Sequence, residues 1–129
     1  MSFAVSFGSN SIKNGSSVNR NSVATSPSLV FNVPPGLYTI TMLGVDVPFV
    51  HWIKCNMNSK ASKGSIVANY RGPDPEIMLP QRVVVTLWHQ TTGRLTPPPR
   101  APPSRTHFKI ENFAARHGLL EVASLAFLV

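Results

Sequence analysis

A chain of 129 residues, 43% apolar and only 13% charged, is long enough to bury one core and too hydrophobic to remain disordered. Its formal net charge of +7 predicts a basic surface and admits nucleic acid, anionic lipid or acidic protein as partner classes. The single cysteine, Cys55, excludes an intrachain disulfide and fits a reducing, cytoplasmic setting, and no apolar run reaches the roughly 18 residues that a transmembrane helix needs.

Residues 1–25 are rich in Ser, Asn and Gly, and Phe3, Val5 and Phe7 alternate there with small residues, which predicts an initial edge strand. Met1 to Asn21 lack a basic stretch followed by an apolar one, so no secretory signal is expected. Leu37 to Leu43 alternate at period two and predict a half-buried strand, ended or edged by Pro48. A second strand from Ile53 onward then leaves Asp46 and His51 at the mouth between two sheet elements, where function tends to sit. Turn signals at 33–36, 58–60, 72–75 and 91–93 separate strand patterns up to residue 92, and this spacing predicts an all-β fold, an antiparallel β-sandwich.

The segment 93–106 holds Pro97, Pro98, Pro99, Pro102 and Pro103 among Arg94, Arg100 and Arg105, and predicts an exposed, partly polyproline loop. Phe108, Ile110, Phe113, Ala114 and His117 fall near a 3.6-residue repeat, so one short helix is expected over 109–117, capped by Gly118. Val122 to Val129 should return as a buried strand. The chain reads as a single domain over 1–129.

The chemistry-bearing residues admit two readings each. Asp46 is either a turn residue bonded to its own loop or a carboxylate facing a ligand. His51 is either a core histidine satisfied by backbone or a pocket residue, and alternation sets it opposite Val50 and Trp52. Gln81 is an ordinary strand-start residue or an amide able to donate to a ligand. Arg82 is expected to pair with Asp46 or Asp74 and hold a loop. Cys55, Trp52 and Trp88 read as core, and His89, His107 and His117 as surface or rim. No histidine pair has metal-ligand spacing with a nearby Cys or carboxylate, so no metal is expected. No nucleophile elbow, Gly-rich phosphate loop or dinucleotide fingerprint occurs, so no catalytic residue, cofactor or enzyme activity is expected.

The run Gly44-Val45-Asp46-Val47-Pro48 followed by His51-Trp52 resembles the first signature of the phosphatidylethanolamine-binding protein family, Asp-Pro-Asp-x-Pro with a following His-Trp. Ser26 to Phe31 is similar to that family's entry strand, Asn69 to Pro75 to its Gly/Pro loop, and Leu79-Pro80-Gln81-Arg82 to its Gly-x-His-Arg signature. Phe108 to Leu119 is similar to its short helix and the strand beyond, so the resemblance spans 26–129. The chain departs from the pattern at four places: Gly44 stands for the first Asp, Gln81 for the signature His, Val83 for an aromatic and Phe127 for a tyrosine. The loop from Pro48 to His51 is also short for the family.

The resemblance implies a PEBP-like sandwich that acts by binding. Its shallow pocket would take a phosphate-bearing or other small anion, with Asp46, Pro48, His51, Gln81, Arg82 and Phe127 as ligand-binding residues and a retuned or degenerate affinity. It also implies a surface that modulates a protein partner such as a signalling protein; independently of the resemblance, the composition of the proline-rich loop, which has no counterpart in the family pattern, makes Arg100 and Arg105 the candidate contacts. The alternative is a basic protein that binds nucleic acid or an anionic surface.

Overall fold

The computed structural model describes residues 2–61, 63–77 and 79–129. Among these described residues, eight strands form two antiparallel sheets. The smaller contains β1 (Ser2–Phe7), β2 (Asn10–Ile12) and β3 (Ser28–Asn32) in the order β2-β1-β3. The larger contains β4 (Tyr38–Gly44), β5 (Phe49–Met57), β6 (Ser65–Ala68), β7 (Arg82–Gln90) and β8 (Leu119–Leu128) in the order β6-β5-β4-β7-β8. Phe3, Val5 and Phe7 therefore lie on the central strand of the small sheet and not on an edge, because β1 pairs with both β2 and β3.

The large sheet is covered on both faces, which explains why every residue from Tyr38 to Met42 is buried. Tyr38, Ile40 and Met42 meet Val5, Phe7 and Phe31 of the small sheet in the main core. On the opposite face Val50, Ile53, Cys55 and Val67 form a second cluster, closed by Leu95, Phe108 and Phe113 from the segment that follows β7. That segment is more than a spacer. Asn56, held at φ 57°, exchanges backbone bonds with Leu95 through its side chain, and Gln90 joins Asn56 to Thr39 and Gly93.

The helix α1 runs from Ile110 to His117 and ends on Gly118 at φ 62°, whose N–H reaches the carbonyl of Ala114. A left-handed residue at this position suits glycine, which has no Cβ to clash. The strand after it begins at Leu119, earlier than the sequence pattern suggests, and it is an edge strand with only Phe127 buried. Among the described residues no helix is long and apolar enough to cross a membrane.

Candidate ligand-binding site

The hairpin between β4 and β5 is closed by the short turn 45–48, and its tightness fixes residue 44. A Cβ on Gly44 would stand 2.5 Å from the carbonyl oxygen of Val47 and 3.3 Å from Nε2 of His51. No side chain fits there without moving the turn or the imidazole. In this chain the carboxylate that the family pattern places at 44 has no room.

Asp46 sits on the outside of the same turn. Its carboxylate accepts the backbone N–H of Arg82 at 2.8 Å and faces the Arg82 guanidinium at 3.3 Å. The hydrogen bond from the Arg82 backbone N–H, helped by the guanidinium's bond and positive charge, holds the Asp46 carboxyl below its ordinary value. Both side chains are about half exposed, so the pair ties the turn to the start of β7 at the surface.

His51 occupies a β-bulge. Met42 pairs with Trp52 and Leu43 with Val50, which leaves His51 as the extra residue of β5. A bulge breaks strict alternation and re-aims the side chain. Val50 accordingly joins one core cluster and Trp52 the other, contrary to the simple expectation that His51 opposes both. The freed backbone and ring both turn to Arg71. Its N–H donates to the His51 carbonyl at 2.8 Å, and its carbonyl oxygen lies 2.8 Å from His51 Nδ1. Burial pushes the imidazole pKa down, and the charge of Arg105 adds to this against the opposing bond to Arg71.

The loop carrying Arg71 is packed against the body of the protein. Gly72 approaches the Val23 carbonyl so closely that a Cβ would stand 2.6 Å from it. Arg20, from the 3₁₀ turn Arg20–Val23, donates to the carbonyls of Asp74 at 3.3 Å and Leu79 at 2.6 Å. Nothing in the local sequence distinguishes Arg20 from the other surface cations; its role depends on a loop more than fifty residues away.

Between hairpin and loop lies a cavity of about 440 Å³. Val47, Phe49 and Ile77 give it apolar walls, while His51, Gln81 and the exposed Arg71 and Asp74 supply its polar groups. His51 is 2% and Gln81 4% exposed, yet Nε2 of each has no hydrogen-bond partner among the described residues. Buried polar atoms are rarely left unpaired, and two that line one cavity are candidates to meet a ligand.

The structure thus brings His51 and Gln81 together on one cavity and places the other candidates elsewhere. Asp46, Arg82 and Pro48 belong to the turn and its tie to β7 and are not among the lining residues. Phe127 is 1% exposed and packs its ring 5.8 Å from Phe7 between the two sheets. Phe49, Arg71 and Ile77 line the cavity without having been singled out from sequence, since only the pairing of distant segments puts them there. A wider groove of about 800 Å³ lies between the proline-rich segment and α1, with Arg100, Lys109 and Arg116 along it. Arg105 is absent from its lining and is bonded to backbone at Val50 and Asn69. Among the described residues no three His, Cys, Asp or Glu side chains gather as a metal site.

Comparison with known proteins gives four results. No family model matches the chain. It is 34% identical over 136 residues to the protein MOTHER of FT and TFL1 homolog 2 of Oryza sativa subsp. japonica, an alignment covering 92% of this chain and 75% of the rice protein. Its fold superposes on carboxypeptidase Y inhibitor, solved in complex with the cognate proteinase, with a TM-score of 0.82 at 20% identity over 98% of this chain and 81% of that one. It also superposes on a phosphatidylethanolamine-binding protein homologue of Chlamydia trachomatis, with a TM-score of 0.64 at 12% identity over 99% and 97% of the two chains. These superpositions include the N-terminal segment that the motif resemblance leaves out.

Proposed function

The chain belongs to the phosphatidylethanolamine-binding protein family, and we propose that it is a non-enzymatic member that holds one small ligand in the cavity at His51 and Gln81 and modulates a protein partner. The observation that carries this reading is the pair of buried, unpartnered nitrogens on one cavity. The site has the character of a degenerate anion pocket. His51 has no carboxylate at position 44, Gln81 offers an amide where the family pattern has imidazole, and Asp46 is already engaged by Arg82.

The protein partner is supported by the structural neighbour that was solved bound to a proteinase. Arg100, exposed on the groove beside α1, is the candidate contact on this chain. Nucleic acid is the weaker reading, because several of the cations behind the net charge serve internal contacts: Arg20 clamps a loop, Arg82 holds Asp46 and Arg105 binds backbone. The buried free thiol of Cys55 accords with a cytoplasmic setting.

The test is a fragment screen read by two-dimensional NMR on wild type and Asp46→Asn. Small polar compounds are expected to shift resonances of His51, Gln81 and Ile77 in both proteins. Phosphoethanolamine should bind no tighter than roughly millimolar, or about −4 kcal/mol. A screen in which no compound perturbs those three residues would reject the ligand-binding reading.

A further inference from the structure

The protonation pattern of the cavity follows from a single contact. A carbonyl oxygen can only accept, so the 2.8 Å approach of His51 Nδ1 to the Arg71 carbonyl requires the proton to be on Nδ1. In the neutral ring, Nε2 then carries a bare lone pair. That lone pair is the atom left without a partner, and it belongs to a residue that is almost wholly buried on the cavity. Neither carboxylate position of the family motif favours a second proton there: position 44 has no space for one, and Asp46 faces Arg82. Asp74, on the cavity's exposed side, is not among the groups that move the His51 pKa. The ring's aromatic neighbour is Phe49, at 5.0 Å between centroids.

Gln81 complements this acceptor. Its unpartnered atom is the amide nitrogen, a donor. Turning that amide by half a revolution would exchange nitrogen for oxygen, so Gln81 can meet either demand. The imidazole cannot, because Arg71 fixes its tautomer.

We infer that the cavity takes a neutral ligand with an apolar body and a hydroxyl end, which donates to His51 Nε2 and accepts from Gln81, in place of a phosphate-bearing headgroup. This rests on the proposed ligand-binding role of the cavity and narrows it to one class. A hydroxyl supplies a donor and an acceptor from one atom, whereas a phosphate dianion offers only acceptors and would turn negative oxygen toward a lone pair. Admitting the dianion requires a second proton on the ring. Burial opposes that proton, and so does the charge of Arg105. The charged groups on the cavity itself, Arg71 and Asp74, are opposite in sign and give no strong net preference for an anion. The apolar walls at Val47, Phe49 and Ile77 suit the ligand's body.

Three probes of shared shape separate the possibilities: benzyl alcohol, toluene and benzyl phosphate, titrated into the wild-type protein at neutral pH. The readouts are the shifts of His51 and Gln81 and the nitrogen shifts of the His51 ring, which report its tautomer directly. Benzyl alcohol is expected to bind at least about tenfold more tightly than either other probe, with Nε2 unprotonated throughout. Gln81→Met should lower the preference for alcohol over toluene while leaving toluene binding nearly unchanged. If benzyl phosphate binds best, or if the ring is found doubly protonated, the ligand class is wrong while the cavity remains a binding site. Equal binding of alcohol and toluene would likewise overturn the inference. If none of the three shifts His51 or Gln81, the cavity reading itself falls and the inference goes with it.

Discussion

Arg105 reaches from the proline-rich segment to the bulged strand at Val50, donating from Nη1 to the Val50 carbonyl at 2.6 Å while its own carbonyl accepts the Val50 N–H at 2.8 Å. Its second terminal nitrogen bonds the carbonyl of Asn69 at 2.7 Å, and its guanidinium lies 5.8 Å from the centre of the Phe49 ring. One side chain thereby joins the end of the proline-rich segment, the hairpin and the loop that walls the cavity. The arginine that composition suggested as a partner contact acts as an internal clasp, and Arg100 is left as the exposed one.

Arg105→Ala should therefore lower stability by about 2 kcal/mol, since charge-assisted bonds to two backbone carbonyls are lost. Arg100→Ala should change it by less than about 0.5 kcal/mol. Urea denaturation measures both, and limited proteolysis should show faster cutting within 93–106 in the Arg105 variant alone. Equal stability of the two variants would show that the clasp has no energetic weight.

The buried Gln90 side chain makes four hydrogen bonds. Its oxygen accepts from Thr39 Oγ1 and from the Asn56 N–H, each at 2.8 Å, and its nitrogen donates to Asn56 Oδ1 and the Gly93 carbonyl, each at 2.9 Å. Replacing it by leucine strands these groups in a buried site, and Gln90→Leu should cost about 3 kcal/mol in chemical denaturation. A cost below about 1 kcal/mol would mean that water or a repacked Asn56 takes over the bonds.

Gly44→Ala tests the tightness of the hairpin. The added methyl meets the Val47 carbonyl at 2.5 Å, so the turn must open, and overpacking of this kind costs about 1–3 kcal/mol. The same variant should shift the His51 ring resonances, because its Cβ would stand 3.3 Å from Nε2. Unchanged stability and unchanged His51 shifts would contradict the described turn.

The imidazole of His51 also gives stability a pH dependence. Its native pKa lies below the ordinary 6.5, so the unfolded chain takes up the proton first as the pH falls. The contribution is complete above that ordinary value and is lost as the pH drops through the depressed native one. His117 is depressed in the same direction by partial burial, with the charge of Arg116 adding to it. Asp46 acts in a separate, more acidic window, where stability is lost below its ordinary 3.8. Urea midpoints measured from neutral pH down to about 5 should fall in wild type and fall less in His51→Gln. A slope unaltered by that substitution would assign the effect to other groups.

The architecture was largely legible in the sequence, because the turns at 33–36, 58–60, 72–75 and 91–93 all separate elements and Gly118 closes the helix where the pattern places it. Strand membership of His51 was not, since its bulge exists only through the register between β4 and β5. Phe127 lies in a strand as the sequence predicts, but its inward facing was not legible. A register shift between β7 and β8 makes Val122 the extra residue and resets which side chains of β8 face inward. The roles of Arg105 and Arg20 were hidden for a plainer reason: their acceptors lie between 36 and 59 residues away, beyond any local pattern. Gln81 and His51 were both visible as candidates; that they share a cavity depends on the loop between them folding back.

The segment around residues 14–18 forms no named strand, yet it lines the C-terminal half of β8. Gly15 bonds the Ala126 carbonyl, Val18 bonds the Leu128 carbonyl, Leu128 bonds Ser16, and the Asn14 side chain takes the Ala126 N–H. It acts as a guard rail on the sheet's border. A protease cut between Lys13 and Asn19 would release that rail and leave a ten-residue strand ready to template a second copy of itself. The cut molecule would then expose that border to another chain, and size-exclusion chromatography after limited proteolysis should show self-association that the intact protein lacks.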